Sequence, residues 1–138
     1  MSGVIYGDIV ATVIAKLTVL LAARPEPFAS GITVTNRRGE TTGRVVVITE
    51  SSGAGESNTL DDTSLCVNVY ADDEGDCADL TNLVRALLTS PAPLGVVDGK
   101  PIVLATKNAG PNVIDDETGE FRRYMVINIR RRGTNLAP

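Results

Sequence analysis

The sequence contains no histidine and no tryptophan, and it has only two cysteines. Without histidine, the Ser-His-Asp and Cys-His nucleophile systems, histidine-ligated metals and an imidazole pH switch are all excluded. Three Tyr and two Phe are too few for an aromatic platform that stacks nucleobases. Cys66 and Cys77 form no CxxC pair, cannot build a four-ligand zinc site alone and make no disulfide framework. Long apolar runs are also missing. Asp8 and Lys16 interrupt the best candidate, so no stretch reaches the roughly 18 residues of a membrane span. That segment also lacks the basic start and small-residue cleavage site of a secretory signal, which points to a protein made and assembled in the cytoplasm with no membrane partner.

What remains is globular: 138 residues, 43% apolar and 22% charged, the length of one domain spanning 1–138. A chain of this length buries roughly two-thirds of its unfolded surface and needs no staples. The net charge of −4 is distributed unevenly. Between Val45 and Val84 stand nine carboxylates and no Lys or Arg, whereas Arg122, Arg123, Arg130, Arg131 and Arg132 follow Glu120 without a single acid. One reading is a set of solvated loops and a solvated strand end. The sharper reading is a polarised protomer whose basic end meets an acidic partner surface. Net acidity argues against sequence-specific DNA binding, where phosphate contacts supply most of the affinity.

The apolar pattern predicts an α+β domain in the order α-β-β-β-α-β-β. Val4 to Ala23 reads as a long amphipathic helix, with Asp8 in its early turns and Arg24-Pro25 ending it. Its apolar stripe is wider than one small sheet needs; one reading is core packing alone, the other that part of it also covers a neighbouring subunit. Ile32 to Asn36, Arg44 to Glu50, Leu65 to Ala71, Pro101 to Thr106 and Phe121 to Arg131 read as five strands. Arg37 to Glu40 reads as a turn, and Ser51 to Asp62 and Asn108 to Glu120 as long mobile connections. A second helix is expected through Leu80, Leu83, Val84, Leu87 and Leu88, stopped by Ser90-Pro91. Strands joined by turns favour an antiparallel or mixed sheet of about five strands with both helices on one face.

No catalytic constellation is legible, so no enzyme activity and no cofactor are expected. Asp72, Asp73, Glu74 and Asp76 lack the twelve-residue calcium-loop pattern and read as helix-starting carboxylates. Asp115, Asp116 and Glu117 before Gly119 are the one group that a small metal-dependent enzyme would use for a hard cation. Gly53-Ala54-Gly55 has neither the lysine of a P-loop nor the third glycine of a dinucleotide fingerprint.

The order of these features resembles a family. An opening helix closed by Arg-Pro is followed by strands around ITV and RVVVI. Next come the strand and acidic helix YADDEGDCADLTNLVRALL, and last the tail AGPNVIDDETGEFRRYMVINIRRRG. Together these segments resemble the tail-terminator (tail-completion) proteins of long-tailed bacteriophages, particularly those infecting actinobacteria. Tyr70 stands where relatives often carry a tryptophan. The resemblance implies a non-catalytic α/β sandwich in the virion, forming a ring of six copies on the head-proximal end of the tail tube. Such a ring stops tube growth and presents a surface for the head connector. Its implied partners are further copies of itself, the tail-tube protein and the head-closure or connector protein, while genomic DNA slides through the bore without specific binding. Another neck component, such as a head-closure protein, would share these features. The candidate contact residues are Arg122, Arg123, Arg130, Arg131, Asp115, Asp116, Asp72 and Asp73.

Overall fold

The computed structural model describes residues 4–5, 9–39, 42–50, 55–56, 60–89, 96–97, 100–115, 120–132 and 134–135. In chain order the elements are β1 (Val4–Ile5), α1 (Ile9–Ala22), a 3-10 turn (Pro27–Ala29), β2 (Thr33–Thr35), β3 (Val45–Glu50), β4 (Gly55–Glu56) and β5 (Leu60–Ala71). They continue with α2 (Glu74–Thr89), β6 (Val96–Val97), β7 (Lys100–Asp115), β8 (Phe121–Arg132) and β9 (Thr134–Asn135). The five expected strands are the five principal ones, and the fold is α+β with a mixed sheet ordered β2-β3-β5-β8-β7-β6.

Period-two alternation decides which side of the sheet is dry. Val46 and Ile48 of β3, Leu65, Val67 and Val69 of β5, and Met125, Ile127 and Ile129 of β8 point to one face and are buried. Both helices pack there. Helix α1 contributes Ile9, Val13, Leu17 and Leu21 at strict four-residue spacing, and α2 contributes Cys77, Leu80, Val84 and Leu88. Asp73 starts α2: its Oδ2 accepts the Asp76 N–H at 2.9 Å, and its carbonyl accepts the Cys77 N–H.

Three local expectations change, and the mixed sheet has its parallel pair at β2. Helix α1 begins at Ile9 rather than Val4, because Val4 and Ile5 instead pair antiparallel with Asn135 and Thr134. No local pattern signals a strand whose partner is at the other end of the chain; Asp8 lies outside the described residues. Strand β2 runs parallel to β3, with Thr33 beside Val45 and Thr35 beside Val47. The short connection between them includes Gly39 and Gly43, both at positive φ. The expected loop from Ser51 to Asp62 contains β4, which pairs Gly55 and Glu56 with Asp62 and Asp61, and the start of β5. The expected connection from Asn108 is strand as far as Asp115. Register shifts around Lys107, Ala109 and Asn112 let β7 absorb the Asn-Ala-Gly-Pro sequence while β8 supplies its backbone partners. Gly110 has a φ of 76°, and a Cβ there would meet the Tyr124 carbonyl at 2.5 Å.

Candidate functional site

The sheet face turned away from the helices carries a cross-strand polar ladder on β5 and β8. Ser64 Oγ donates to Asn128 Oδ1 at 2.6 Å, directly across the strand pair. Cys66 Sγ lies 3.4 Å from Tyr124 Oη, and Arg122 Nε donates to Asn68 Oδ1 at 2.9 Å. The Cys66 thiol beside it, and then burial, hold the Tyr124 hydroxyl above its ordinary range. Tyr70 lies under two guanidinium groups, Arg38 at 4.4 Å and Arg122 at 5.5 Å from the ring centroid. Arg38 comes from the β2–β3 connection and also pairs with Glu120, so the segment expected as a plain turn is anchored across the sheet to the start of β8. The Ser64–Asn128, Cys66–Tyr124 and Asn68–Arg122 pairs tie β5 to β8 as a scaffold, while beside Tyr70 the buried atoms Arg38 Nε and Glu120 Oε2 have no hydrogen-bond partner among the described residues. Among the described residues the Ser64, Cys66, Cys77 and Thr81 side chains bond to an amide, a phenol and backbone carbonyls, and none of these partners is a carboxylate or Lys that could act as a base.

Strand pairing reassigns the basic end. Arg130 stands opposite Asp62, and Arg131 opposite Asp61, so the two charge blocks that look separate in sequence are cross-strand neighbours within one chain. Arg122 and Arg130 share the outer face. Arg123 takes the helix-side parity, opposite Val69 and close to Cys77. Burial pushes the Cys77 thiol up, and its Sγ donates to the Val69 carbonyl. Asp73 is the cap of α2, and Asp72 is exposed beside it. Asp115 ends β7 opposite Phe121, while Asp116 and Glu117 lie outside the described residues. Among the described residues no group of three or more Cys, Asp or Glu is placed to hold a metal ion. No described helix is long and apolar enough to cross a membrane.

The feature that sequence reasoning located only in outline is the outer side of α1. The helix has one charged residue, Lys16, in fourteen. Ala11, Ala15, Thr18, Val19 and Ala22 are exposed, and Val10, Ile14 and Leu20 are half-buried. Even the Thr18 hydroxyl is turned back onto the Ile14 carbonyl at 2.7 Å. The exposed positions of α2, by contrast, include Glu74, Asp79 and Asn82. At the N-terminal half of α1 the apolar surface runs into a groove of about 500 Å³, whose wall includes Val10, Ile14, Val34, Thr49 and Glu50.

No protein-family model matches the chain, and no curated protein is similar to it. Among the solved structures similar to it, one matches over 93% of this chain and 94% of its own, with a TM-score of 0.51 and 13% identity. That likeness is one of fold.

Proposed function

We propose that this protein is a tail terminator: a virion protein that assembles as a ring on the head-proximal end of a phage tail tube, ends tube growth and offers the head connector its docking surface. The observation that carries the reading is the outer side of α1, a helix face with the composition of an interface and Val19 at 64% exposure. The resemblance of the successive sequence segments supplies the identity of the assembly. The side-chain pairs that tie β5 to β8 across the outer face support a structural role over a catalytic one.

The test is the mass of the purified protein in solution, alone and mixed with tail-tube protein. A closed oligomer, six copies by the resemblance, that binds tube ends and halts their elongation is the expected result. A strict monomer that ignores assembled tubes overturns the reading. Binding to a portal-side ring in place of the tube assigns the protein to another position in the neck, and magnesium- or manganese-dependent catalysis assigns it to a different class altogether.

A further inference from the structure

Strand β2 is an edge of the sheet: it pairs with β3, and among the described residues no strand lies beyond it. Thr33 donates its N–H to the Arg44 carbonyl at 3.0 Å. A parallel ladder gives such bonds to every second residue, so Thr33 and Thr35 face β3, while the N–H and C=O of Val34 face the open side. Sheet edges are commonly blunted by charged side chains, proline or a bulge. Thr33–Thr35 carries no charge and no proline, and its register against β3 is unbroken.

The groove of about 500 Å³ lies along this edge, on the helix side of the sheet. Val34 shares that side with its buried partner Val46, and Ile48 and Glu50 follow on it by alternation. Val10 and Ile14 of α1 form the facing wall. Strand β2 stops at Thr35, level with Val47, so β3 runs on past it to Glu50. Glu50 is the one ionisable side chain lining the groove. It is exposed, and it belongs to none of the ion pairs among the described residues.

An open backbone edge beside an apolar wall is the geometry that adds a strand: main-chain bonds hold it, and alternate side chains fill the pockets. Register sets what such a strand must carry. Val34 is level with Val46, and Glu50 lies four positions further along β3, roughly 13 Å away. A second copy laid antiparallel on this edge, with the two Val34 residues exchanging bonds, would bring its Ser30 level with Glu50. The carboxylate would then stay unmet. Charge favours a partner that brings a cation.

We propose that the β2 edge and its groove receive an extended segment of a protein partner. The segment bonds to the Val34 backbone, seats an apolar side chain against Val10 and Ile14, and places a Lys or Arg four residues along, at Glu50. Nothing in this contact depends on the ring, because the edge is a feature of the single subunit.

The probe is a capped seven-residue peptide of serine and threonine with one valine and, four positions on, one lysine, made in both chain directions. Its counterpart has glutamate in place of lysine. Titration is followed by the protein's amide chemical shifts and hydrogen exchange. In one direction the lysine peptide should shift the Val34 amide and slow its exchange, and the glutamate peptide should bind up to about fivefold more weakly. Glu50→Lys should reverse that preference; the site is exposed, so this variant decides the charge whatever any other variant does to the fold. Val34→Pro removes the N–H on the open side and no bond to β3, so it should keep the fold and weaken the peptide about tenfold more than Val34→Ala does. No change at Val34 with millimolar peptide in either direction, equal binding of the glutamate peptide, or binding untouched by Val34→Pro in a folded protein overturns the contact. A Val34 amide already protected in the peptide-free protein, and released on dilution, assigns the edge to a second copy and overturns it too. Tube binding judges the ring reading separately, so either can fail while the other stands.

Discussion

Arg44 is the residue whose loss best tests how this fold is held at its edge. It sits just before β3, and its Nη1 donates to the Pro27 carbonyl at 3.0 Å and to the Ser30 carbonyl at 3.1 Å. Its Nε and Nη2 donate to Asp76 Oδ2 at 3.2 and 2.6 Å. One guanidinium, carried on the residue before β3, thus joins the segment leaving α1 to the first turn of α2. The ion pair is partly wet, with side chains 28% and 34% exposed, so it contributes at most about 1 kcal/mol. The two carbonyl bonds from a charged but solvated donor add roughly 1 kcal/mol together. Arg44→Ala should therefore cost about 2 kcal/mol, and Asp76→Asn less than about 1 kcal/mol. Arg44→Lys should lie near Ala, because a single ammonium cannot reach both groups from one position. In urea unfolding followed by circular dichroism at a fixed protein concentration, 2 kcal/mol moves the midpoint by about 1 M when the slope is about 2 kcal/mol/M. An Arg44→Ala shift below about 0.2 M on that slope, or an Asp76→Asn shift as large as that of Arg44→Ala, would refute the clamp.

Gly110→Ala should destabilise by about 2 kcal/mol or more, because a positive φ and a 2.5 Å approach to the Tyr124 carbonyl act together. Gly43→Ala, with positive φ but open space around it, should cost nearer 1 kcal/mol in the same urea titration. Asp73→Ala removes the α2 cap and should cost about 1 kcal/mol, with Asp73→Asn recovering most of it. Burial raises the Cys77 thiol above its unfolded value near 9, so the folded state holds that proton more tightly. Its contribution is fully present below about pH 9 and is lost as pH rises toward the folded value. Stability measured from pH 8 to 10.5 should fall less steeply in Cys77→Ala than in the wild type, and a parallel decline in both would contradict this.

Much of the fold was legible in the residues. Alternation in LCVNVYA and YMVINIR sorts the buried from the outer side chains, and the structure keeps that sorting at Val67, Val69, Met125 and Ile127, whereas the β-branched run of β3 is buried from Val45 to Ile48. Four-residue spacing locates both helices and their buried faces, and the carboxylates before α2 include its cap. These signals are local: a side chain two or four positions away tells the same story. The polar, glycine- and proline-containing stretch from Asn108 to Asp115 misled for the same reason, since its strand character comes from β8 and not from its own residues.

The sequence by itself determined the α+β class, the two buried helix faces, the five principal strands and the exclusion of histidine-dependent chemistry. Tertiary structure alone decided how those parts meet. It made β2 and β3 parallel, paired the chain's two ends through β1 and β9, and set Arg130 and Arg131 opposite Asp62 and Asp61. It also showed that one side of α1 stays outside the core, with Val19 well exposed. The division has a physical cause. Periodicity reports which way each side chain points along its own element, but strand register and sheet order are contacts between segments tens of residues apart, and no window of neighbouring residues carries them.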